Sequence, residues 1–548
     1  MDNLRRKKLE APRNKAIDGF IPSSRSGLEG ITRPNETFSS SSKRLGDFKR
    51  SDGFHGSGPI EGTQATPSPK KRKHFGRQPL RDREGNIALG EKRRTKKIFR
   101  KPTHPWKMAL KSLAIIFVMI ILTGGFLFGR AYWKGRHIFK GGGSAPALAD
   151  NIDPTKLRGE GDGRVNILIL GKGGPGHEGP DLTDTILIAS IDPIQKETAI
   201  LSIPRDLYVK TTNYGSMKIN SVYPTAKYQV LNGPKTPDQA KRAEDVGLAA
   251  VQESIKDAIG IPIHYYAMVD FEAFRKAIDT VGGITIDVKQ PLYDANVAWE
   301  NHNNPLIAGV GLQTFNGKRA LLYARSRYGS ARGDFDRTER QREVLIALKD
   351  KVLSAGTFGN PLKINQLITA FGDHISTNLS VNELLRVYAI GKDIPSNKIS
   401  SLGLADPPND YVKTGNINGL SVVIPRAGLY NYTEIHNYVR NVLKDGYIKS
   451  ENASILILNG TGTGGLATKK SEELKSYGYN VIGVADAPTK NYPRTILVDL
   501  RSGSKKYTRH YLEQRLGVSS VNSLPDSSIA AGSADFVIIL GQNEAANY

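Results

Sequence analysis

The chain contains a long stretch in which short β-rich runs alternate with amphipathic segments. The strand-like runs are bounded by Gly, Pro and Asp, and the helical segments carry apolar residues every three or four positions. The predicted strands are Val165–Leu170, Thr185–Ser190, Ala199–Ile203 and Ile284–Val288, and the predicted helices are residues 244–259 and 270–281. Such alternation is typical of an α/β domain, which we expect to span residues 163–400.

A smaller unit with the same alternation occupies residues 451–548, after a polar connecting segment at residues 401–450. Its predicted strands are Ala453–Leu458, Tyr479–Val484, Thr495–Asp499 and Phe536–Leu540, and its predicted helices are residues 466–477 and 507–516. We therefore predict a second, smaller α/β domain in this part of the chain.

An almost uninterrupted apolar run precedes both domains. Residues 108–128 contain one lysine near their start, and about 20 helical residues are enough to cross the roughly 30 Å hydrocarbon layer of a membrane. We predict a single transmembrane helix at residues 108–130. Eight Lys/Arg lie between Arg93 and Lys111, which places the preceding segment in the cytoplasm and everything after the helix outside.

The alternative is a cleaved signal peptide, because Ala145–Ala149 resembles a small-residue processing site. The length of the apolar run and of the segment before it favours an anchor in the cell membrane.

The first 107 residues are strongly basic and poor in aliphatic side chains. They contain 27 Lys/Arg and 11 Asp/Glu, and so supply +16 of the chain's net charge of +24. Because such a segment buries too little apolar surface to fold, we predict a disordered cytoplasmic arm. Its basic runs at residues 69–73 and 91–97 have the composition of nucleic-acid patches, but membrane orientation explains the charge, and we expect no nucleic-acid partner.

Residues 131–162 begin with basic residues and continue through Gly141–Gly143 into a polar stretch, which predicts a flexible linker. The chain has no cysteine. Disulfides, thiolate zinc sites and a cysteine nucleophile are therefore excluded, whereas carboxylate-bound metals remain open.

Arginine is most concentrated at residues 323–342. Arg325 and Arg327 share one face if their segment is extended. Asp336 is a suitable N-cap for the helix that follows. At about 100° per residue its core-facing stripe comprises Arg337, Gln341, Val344 and Leu348, with Arg340 on the flank and Arg342, Glu343 and Asp350 pointing away.

Guanidiniums that converge in one buried place repel each other and are costly to desolvate, so such a cluster needs an anion. Pyrophosphate suits it because Arg donates paired hydrogen bonds to phosphoryl oxygens. Solvated arginines on an ion-paired helix are the alternative that the pattern leaves open.

Two further segments adjoin predicted strands. Arg205 and Asp206 follow Ala199–Ile203, at a place where α/β sheets commonly bind ligands, although a loop salt bridge is the alternative. Asp181 and Asp184, near His177, offer oxygen ligands for Mg²⁺ against a phosphate, although aspartates in turns are commonly caps or solvated.

Two glycine-rich turns imitate dinucleotide-binding fingerprints. Gly171–Gly176 follows a strand but is not followed by a helix, so we predict a mobile loop. Gly460–Gly465 lies between a strand and a helix, but a unit of about ninety residues is too short for two mononucleotide-binding halves.

Many ordered motifs between residues 163 and 355 resemble those of the LytR-CpsA-Psr family. In chain order they are Asn166–Gly171, Leu182–Thr185, Leu201–Asp206, Lys218–Asn220, Gly260–Tyr266, Val281–Gly283, Asn316–Gly317, Tyr323–Arg327 and Gly333–Arg337 with Arg340–Gln341. The last ninety or so residues, beginning with Ile455–Gly462, resemble the small LytR-type C-terminal domain that often accompanies this family.

The resemblance implies a three-layer α-β-α catalytic domain with a central mixed sheet. It implies a phosphotransferase that takes a glycopolymer from a polyprenyl-pyrophosphate carrier and attaches it to peptidoglycan through a phosphodiester. The implied partners are the lipid-linked glycan donor, the peptidoglycan acceptor and the membrane.

The family's arginines map onto Arg205, Arg325, Arg327 and Arg337, its amide onto Gln341 and its metal-binding aspartate onto Asp184. Asp206 and Asp334 are expected to orient groups or accept a proton, and Arg340, Lys218 and Asn220 to join Gln341 in binding substrate. Mg²⁺ is the expected cofactor. The family usually has a second acidic residue where this chain has Lys172–Gly173, and we expect Asp181 to take its place.

Three other functions stay open. One is a non-catalytic envelope protein that binds polyprenyl-phosphate lipid or wall, the second is a lipid pyrophosphatase, and the third is a regulator that binds nucleic acid through the basic arm. In either lipid-binding case the tail needs an apolar groove, which amphipathic residues 270–281 would separate from water.

Overall fold

The structure is a computed structural model and describes residues 141–354 and 372–546. The predicted basic arm, the predicted transmembrane helix and the first ten residues of the predicted linker lie outside the described residues. Within the described ranges, no helix is long and apolar enough to cross a membrane.

The larger part of the described chain contains fourteen strands and seven helices. The strands are β1 (Val165–Lys172), β2 (Thr183–Asp192), β3 (Glu197–Ser202), β4 (Tyr208–Thr211), β5 (Gly215–Lys218), β6 (Tyr265–Asp270), β7 (Ile284–Val288), β8 (Leu292–Tyr293), β9 (Leu306–Ala308), β10 (Gly311–Phe315), β11 (Ile375–Thr377), β12 (Ile399–Gly403), β13 (Val412–Ile417) and β14 (Leu420–Pro425). The helices are α1 (Val222–Leu231), α2 (Gln239–Ile259), α3 (Phe271–Thr280), α4 (Gly317–Arg325), α5 (Asp334–Ser354), α6 (Val381–Lys392) and α7 (Thr433–Val442).

Six of these strands form a central mixed sheet in the order β11-β6-β1-β2-β3-β12. β1 is parallel to β6 and antiparallel to β2, and β12 is parallel to β3. Leu168 and Leu170 pack against α1, α2 and α7, whereas Val165 and Ile167 face the opposite side, where α6 packs. Helices therefore cover both faces, and the predicted α/β fold with a central mixed sheet is confirmed.

The C-terminal unit has a four-stranded sheet in the order β16-β15-β18-β17. Its elements are α8 (Gly446–Glu451), β15 (Ser454–Asn459), α9 (Leu466–Ser476), β16 (Asn480–Asp486), β17 (Ile496–Asp499), α10 (Lys506–Leu516), β18 (Phe536–Leu540) and α11 (Gln542–Ala545). All six elements predicted in this unit are present within one or two residues.

The segment predicted to be a flexible linker is packed where the structure describes it. Ile152 and Leu157 are buried in the core of the C-terminal unit. Arg515 of α10 makes two contacts with Glu160, at 2.7 and 2.9 Å. Asp445, fully buried, accepts the backbone N–H groups of Gly161 and Gly163. These contacts fix the linker between the two sheets.

The C-terminal unit contacts the central sheet at its strand ends, on the side where β1 begins and β2 ends. Arg164, just before β1, lies 3.4 Å from Asp192 at the end of β2 and donates to the carbonyl of Lys444. Lys449 of α8 lies 2.8 Å from Glu197 at the start of β3. The candidate site lies at the opposite strand ends, on the side where β1, β3 and β6 end.

The predicted connecting segment at residues 401–450 is folded, because β12 extends the central sheet and α7 packs into its core. Two local predictions are wrong. Arg325 is the last residue of helix α4 and not part of an extended segment. The helix α5 begins at Asp334, so Asp336 lies in its first turn, where its carboxylate accepts the N–H of Arg332.

Candidate functional site

Loops at one edge of the central sheet bring the predicted residues together. Asp184 is the second residue of β2, Arg205 follows β3 by three residues, and Asn220 follows β5 by two. The backbone N–H of Asn220 donates to the carbonyl of Arg205 at 3.2 Å, and that of Ile219 donates to Leu207 at 2.8 Å. These bonds hold the end of the β4–β5 hairpin against the segment that carries Arg205.

Asp334, the first residue of α5, lies at the centre of three arginines. Its Oδ1 is 3.0 Å from Arg337 Nη2, 3.6 Å from Arg205 Nε and 3.7 Å from Arg327 Nε. We call Arg205, Arg327 and Arg337 the arginine cluster. They come from three separate segments of the chain, so three of the four predicted arginines lie in one place.

Asp184 forms the second contact point of the arginine cluster. Its Oδ1 accepts Arg205 Nη1 at 2.6 Å and Asn220 Nδ2 at 3.1 Å, and its backbone carbonyl accepts Arg337 Nη2 at 3.1 Å. Burial alone would raise the pKa of Asp184, but the charges of Arg205 and Arg337 and the two hydrogen bonds hold that pKa below its ordinary value. Asp184 is therefore ionised over the physiological range.

Asp206 and Lys218 extend this network on the side of the β4–β5 hairpin. Lys218 Nζ lies 2.7 Å from Asp206 Oδ1, and Arg205 Nε lies 3.8 Å from Asp206 Oδ2. The predicted site residues Asp206, Lys218 and Asn220 thus contact Arg205 or its partners directly.

The arginine cluster has donors that no group in the described chain accepts. Arg205 and Arg337 are both buried, and the Nε of each has no hydrogen-bond acceptor among the described residues. Burial lowers the pKa of Arg337 to about 10 despite the nearby carboxylate of Asp334. A buried donor without an acceptor is costly, so an anion that accepts these N–H groups would stabilise the cluster.

Arg325 lies beside the cluster's helix rather than in the cluster itself. Its Nη1 is 3.2 Å from Glu300 Oε1, and its guanidinium lies 4.9 Å from the centre of the Phe271 ring. Arg325 lines a cavity of about 220 Å³ together with Gln341. Gln341 donates from Nε2 to the carbonyl of Ala324, whereas its buried Oε1 has no partner among the described residues.

This cavity is otherwise almost entirely apolar. It lies between the central sheet and α3, α4 and α5, and Thr185, next to Asp184, forms part of its wall. The apolar wall residues are Ile169, Leu187, Val269, Phe271, Ala273, Phe274, Ala277, Leu321, Ala324, Val344, Leu345, Leu348 and Ile375. The predicted stripe on α5 is confirmed for Gln341, Val344 and Leu348, and α3 borders the cavity as expected.

Arg340 and Arg342 do not lie where the sequence suggested. Arg340 is buried and donates from Nε to the carbonyl of Tyr323 at 3.0 Å and from Nη2 to that of Ser326. We therefore assign it to holding the Arg325–Arg327 segment rather than to binding substrate. Arg342 is not directed to solvent but is buried, because Asp406 and Ser202 accept its N–H groups.

Asp181 does not join Asp184. Its Oδ1 lies 2.9 Å from Lys172 Nζ and its Oδ2 lies 2.9 Å from Lys227 Nζ. Burial would raise the pKa of Asp181, but these two ammonium groups hold it below its ordinary value. Because both oxygens are occupied by cations, the prediction that Asp181 replaces a metal ligand is not supported by the geometry.

The part of the chain that the structure describes contains no group of three His, Asp or Glu side chains that would enclose a metal ion. Mg²⁺ in phosphate-binding sites usually takes one or two carboxylates and completes its shell with water and substrate oxygens. Asp184 fits that role as a single carboxylate because the donors Arg205 and Asn220 both bind its Oδ1, whereas a lysine pairs with each oxygen of Asp181.

Sequence reasoning missed the partners of several site residues. Glu300 pairs with Arg325 across 25 residues, and Lys227 pairs with Asp181 across 46 residues. Neither partner lies at a helical or strand spacing that would have signalled the contact. The side chain of Asp270, which also borders the cavity, was likewise not singled out.

Comparison with known families matches both parts of the chain. The profile described as "LytR_cpsA_psr family" matches residues 142–428, and the profile described as "LytR cell envelope-related transcriptional attenuator" matches residues 452–543. Both resemblances inferred from the motifs are confirmed.

Three similar proteins illustrate the range of the match. The cell wall biosynthesis protein LcpA of Corynebacterium glutamicum is 26% identical over 66% of this chain and 70% of its own length. The polyisoprenyl-teichoic acid–peptidoglycan teichoic acid transferase TagU of Oceanobacillus iheyensis is 28% identical over 53% of this chain and 82% of its own length. A crystal structure of Bacillus subtilis TagV is 27% identical, covers 51% of this chain and 97% of that chain, and has a TM-score of 0.39.

Proposed function

The chain belongs to the LytR-CpsA-Psr family, and we propose that it is a phosphotransferase that moves a glycopolymer from a polyprenyl-pyrophosphate carrier onto peptidoglycan. The observation that carries this proposal is the arginine cluster around Asp334, which adjoins an apolar cavity through Thr185, Arg325 and Gln341. Relatives whose names describe teichoic acid transfer to peptidoglycan support it.

A polyprenyl pyrophosphate has a charged part and an apolar part, and the site has a matching surface for each. Its phosphoryl oxygens would accept the unpartnered N–H groups of Arg205 and Arg337, which relieves the cost of burying those donors. Its isoprenoid tail would enter the cavity between the sheet and α3, α4 and α5, where apolar walls exclude water. A soluble nucleotide or sugar phosphate would leave that cavity unfilled.

In the proposed reaction a sugar hydroxyl of peptidoglycan attacks the phosphorus that bears the glycan. The new P–O bond forms as the bond to the bridging oxygen breaks, and polyprenyl phosphate leaves. Negative charge grows on the phosphoryl and leaving oxygens, so fixed guanidiniums of Arg205, Arg327 and Arg337 would stabilise the transition state more than the ground state. Asp184 and Asp334 would hold those guanidiniums in position before the substrate arrives.

Mg²⁺ belongs to the proposal as a cofactor that Asp184 would hold against the pyrophosphate. When bound, it would supply further neutralisation of phosphoryl charge. The protein's own residues provide binding, orientation and exclusion of water.

The proposal includes a place in the cell. We propose that residues 108–130 anchor the chain in the cell membrane, with the N-terminal arm in the cytoplasm and the site outside. A lipid-linked donor in the same membrane would then be within reach of the cavity.

The test uses the purified full chain in detergent with a lipid-linked oligosaccharide, peptidoglycan fragments and Mg²⁺. We expect glycan to become bound to peptidoglycan, and the double variant Arg325→Ala/Arg327→Ala to lose this transfer by at least about a hundredfold, as expected when transition-state charge is no longer stabilised. Arg426→Ala is the matched control, because Arg426 is half exposed, pairs with Asp410 and is not among the residues that line the cavity. Normal transfer by the double variant would refute the site.

Product analysis separates the alternatives. A lipid pyrophosphatase would release phosphorylated glycan without peptidoglycan linkage, and a binding protein would retain the donor unchanged. Either result with the wild-type chain would replace the proposed activity while keeping the arginine cluster as the binding site.

A further inference from the structure

A partly exposed histidine and a buried aspartate form a hydrogen-bonded dyad near the same strand ends as the arginine cluster. Asp270 is the last residue of β6, and its Oδ2 lies 2.6 Å from Nδ1 of His374, which stands just before β11. Asp270 is only 5% exposed, whereas the side chain of His374 is 34% exposed. The carboxylate is thus enclosed, and the imidazole ring is what reaches the surface.

The dyad adjoins the cavity assigned to the donor. Asp270 and Ile375, the neighbours of His374 in space and in sequence, both line that cavity. Phe271, which follows Asp270, carries the guanidinium of Arg325 on its ring face. β11 pairs with β6 so that His374 stands opposite Asp270, and the ladders continue from Asp270 to Lys172 and from Lys172 to Thr183. The backbones of His374 and Asp184 are therefore about three strand spacings, roughly 14 Å, apart, which the bound pyrophosphate and the acceptor sugar would have to span.

The glycine-rich loop that follows β1, residues 173–176, packs closely against Asp270. Gly174 has φ of +82°, and a side chain added there would lie 2.9 Å from Cβ of Asp270. Only glycine combines that backbone conformation with so close an approach. The loop therefore covers Asp270 and leaves His374 as its accessible partner.

The proposed transfer needs a group that accepts the proton of the attacking hydroxyl. The carboxylates of the arginine cluster are poorly suited to this, because Asp334 is within 4 Å of three guanidiniums and Asp206 is held by Lys218 and Arg205. Protonating either one would leave buried cations without their counter-charge. A neutral imidazole can accept a proton without that cost.

In the neutral imidazole, Nδ1 of His374 donates to the Asp270 carboxylate only in the tautomer that leaves Nε2 unprotonated. A carboxylate that fixes this tautomer also stabilises the imidazolium that forms when Nε2 takes a proton. The same carboxylate has a second task, since Asp270 Oδ1 accepts the N–H of Ala273 and caps α3. The cap fixes the carboxylate, and the carboxylate fixes the ring.

We propose that His374 is the general base of the transfer and that Asp270 is its positioning residue; this inference rests on the proposed function. As the hydroxyl oxygen of the acceptor sugar bonds to the glycan-bearing phosphorus, its proton passes to His374 Nε2. The bond between that phosphorus and the bridging oxygen breaks, and polyprenyl phosphate leaves with the electron pair. The proton is later released to water.

Two variants with different chemistry test the assignment. Asp270→Asn keeps an oxygen to cap α3 but offers an N–H to His374 Nδ1, which favours the tautomer that protonates Nε2. We expect both Asp270→Asn and His374→Ala to lower kcat by about a hundredfold or more, the contribution usual for a general base. KM for the lipid-linked donor should change less than threefold in each, because neither residue belongs to the arginine cluster.

Rescue by a small base separates catalysis from structure. In full-length His374→Ala, added imidazole should restore transfer in proportion to its concentration, because it can occupy the space of the lost ring and accept the proton. Imidazole should not rescue Asp270→Asn, in which the ring is present in the wrong tautomer. Loss of kcat in His374→Ala without rescue, together with normal kcat in Asp270→Asn, would mean that His374 only ties β11 to β6.

Two other histidines complete the experiment. His436→Gln is the matched control and should transfer normally, because His436 lies on α7 and contacts the carbonyl of Asp257. His177 packs edge-on against Phe271 with ring centres 5.0 Å apart, and a large, imidazole-rescued loss in His177→Ala with normal kcat in His374→Ala would move the role to that residue. If the wild-type chain transfers no glycan, the proposed function fails; if it transfers and His374→Ala equals it, only this inference fails.

Discussion

Replacing Arg337 with methionine tests whether this arginine serves donor binding or the stability of the folded chain. Arg337 is buried and donates from Nη2 to Asp334 at 3.1 Å and to the carbonyl of Asp184 at 3.1 Å, while its Nε has no acceptor among the described residues. Methionine preserves much of the apolar stem and removes the charge. Asp334 would retain Arg205 and Arg327 within 4 Å.

The magnitude follows from the pKa. Burial lowers the pKa of Arg337 from its ordinary value to about 10, which corresponds to roughly 3 kcal/mol in favour of the neutral form in the folded chain. The sign is unfavourable for folding, because the unfolded chain holds this proton more tightly than the folded chain. Below about pH 10 the whole penalty applies, and it is relieved only as the pH rises from about 10 towards the ordinary pKa of an arginine.

We therefore expect Arg337→Met to leave the free energy of unfolding unchanged or to raise it by up to roughly 3 kcal/mol without donor. Affinity for the lipid pyrophosphate should fall by about 30-fold or more, since removing a charged partner of a buried anion costs about 2–5 kcal/mol. Urea denaturation of the full chain in detergent measures the first quantity, and calorimetric titration with the donor measures the second.

Arg426→Met controls for the loss of one positive charge, because Arg426 is half exposed; neither quantity should change appreciably. The reasoning is refuted if Arg337→Met lowers the free energy of unfolding by 3 kcal/mol or more, the result expected when an ion pair is held only for stability. It is equally refuted if donor affinity is unchanged.

Three further predictions concern the metal ligand, the cavity and the packed linker. Asp184→Asn should raise the Mg²⁺ concentration for half-maximal transfer by about tenfold, because the ion would lose one of its few carboxylate ligands. Asp181→Asn should leave that concentration unchanged, because Lys172 and Lys227 occupy the Asp181 carboxylate. Equal effects of the two substitutions in a Mg²⁺ titration would contradict this difference. Ala277→Trp should fill the cavity of about 220 Å³ and raise KM for a long-chain donor while sparing a donor with one isoprene unit; equal KM changes for both would show that the tail binds elsewhere. Arg515→Ala should destabilise the chain by about 3 kcal/mol, because Glu160 loses its paired contacts, and should speed hydrogen exchange at residues 157–163; unchanged exchange there would show that the linker is held by other contacts.

The sheet and the C-terminal unit were predictable because periodicity reports which face of an element is buried. Ile167–Leu170 and Phe536–Leu540 are apolar at successive positions, and both lie in interior strands of their sheets. The position of Gln341 was predictable for the same reason, since Val344 and Leu348 on the same stripe could face only the interior.

The errors share a different cause, which is contact between residues far apart in sequence. Arg342 carries a charge and was expected to face solvent, but Asp406, 64 residues later, accepts its N–H. Asp181 was expected to bind metal, but Lys227 neutralises it from α1. Leu157 stands in a polar stretch that resembles a linker, yet it packs against a unit whose core begins about 300 residues later.

The helix that ends at Arg325 could have been predicted from a local sequence signal. Arg325 ends helix α4, which begins after Asn316, and the side chain of Asn316 accepts the N–H of Arg319 as an N-cap. Asn followed by a run of helix-forming residues is a recognisable helix start.

We propose that the arginine cluster binds a pyrophosphate whose isoprenoid tail fills the adjoining cavity. The most direct measurement is an experimental structure of the full chain with a non-transferable polyprenyl pyrophosphate analogue. We expect phosphoryl oxygens to accept Nε of Arg205 and of Arg337, with the tail between α3 and α5. Phosphorus atoms bound away from Arg205, Arg327 and Arg337, with the cavity holding no part of the tail, would contradict the account.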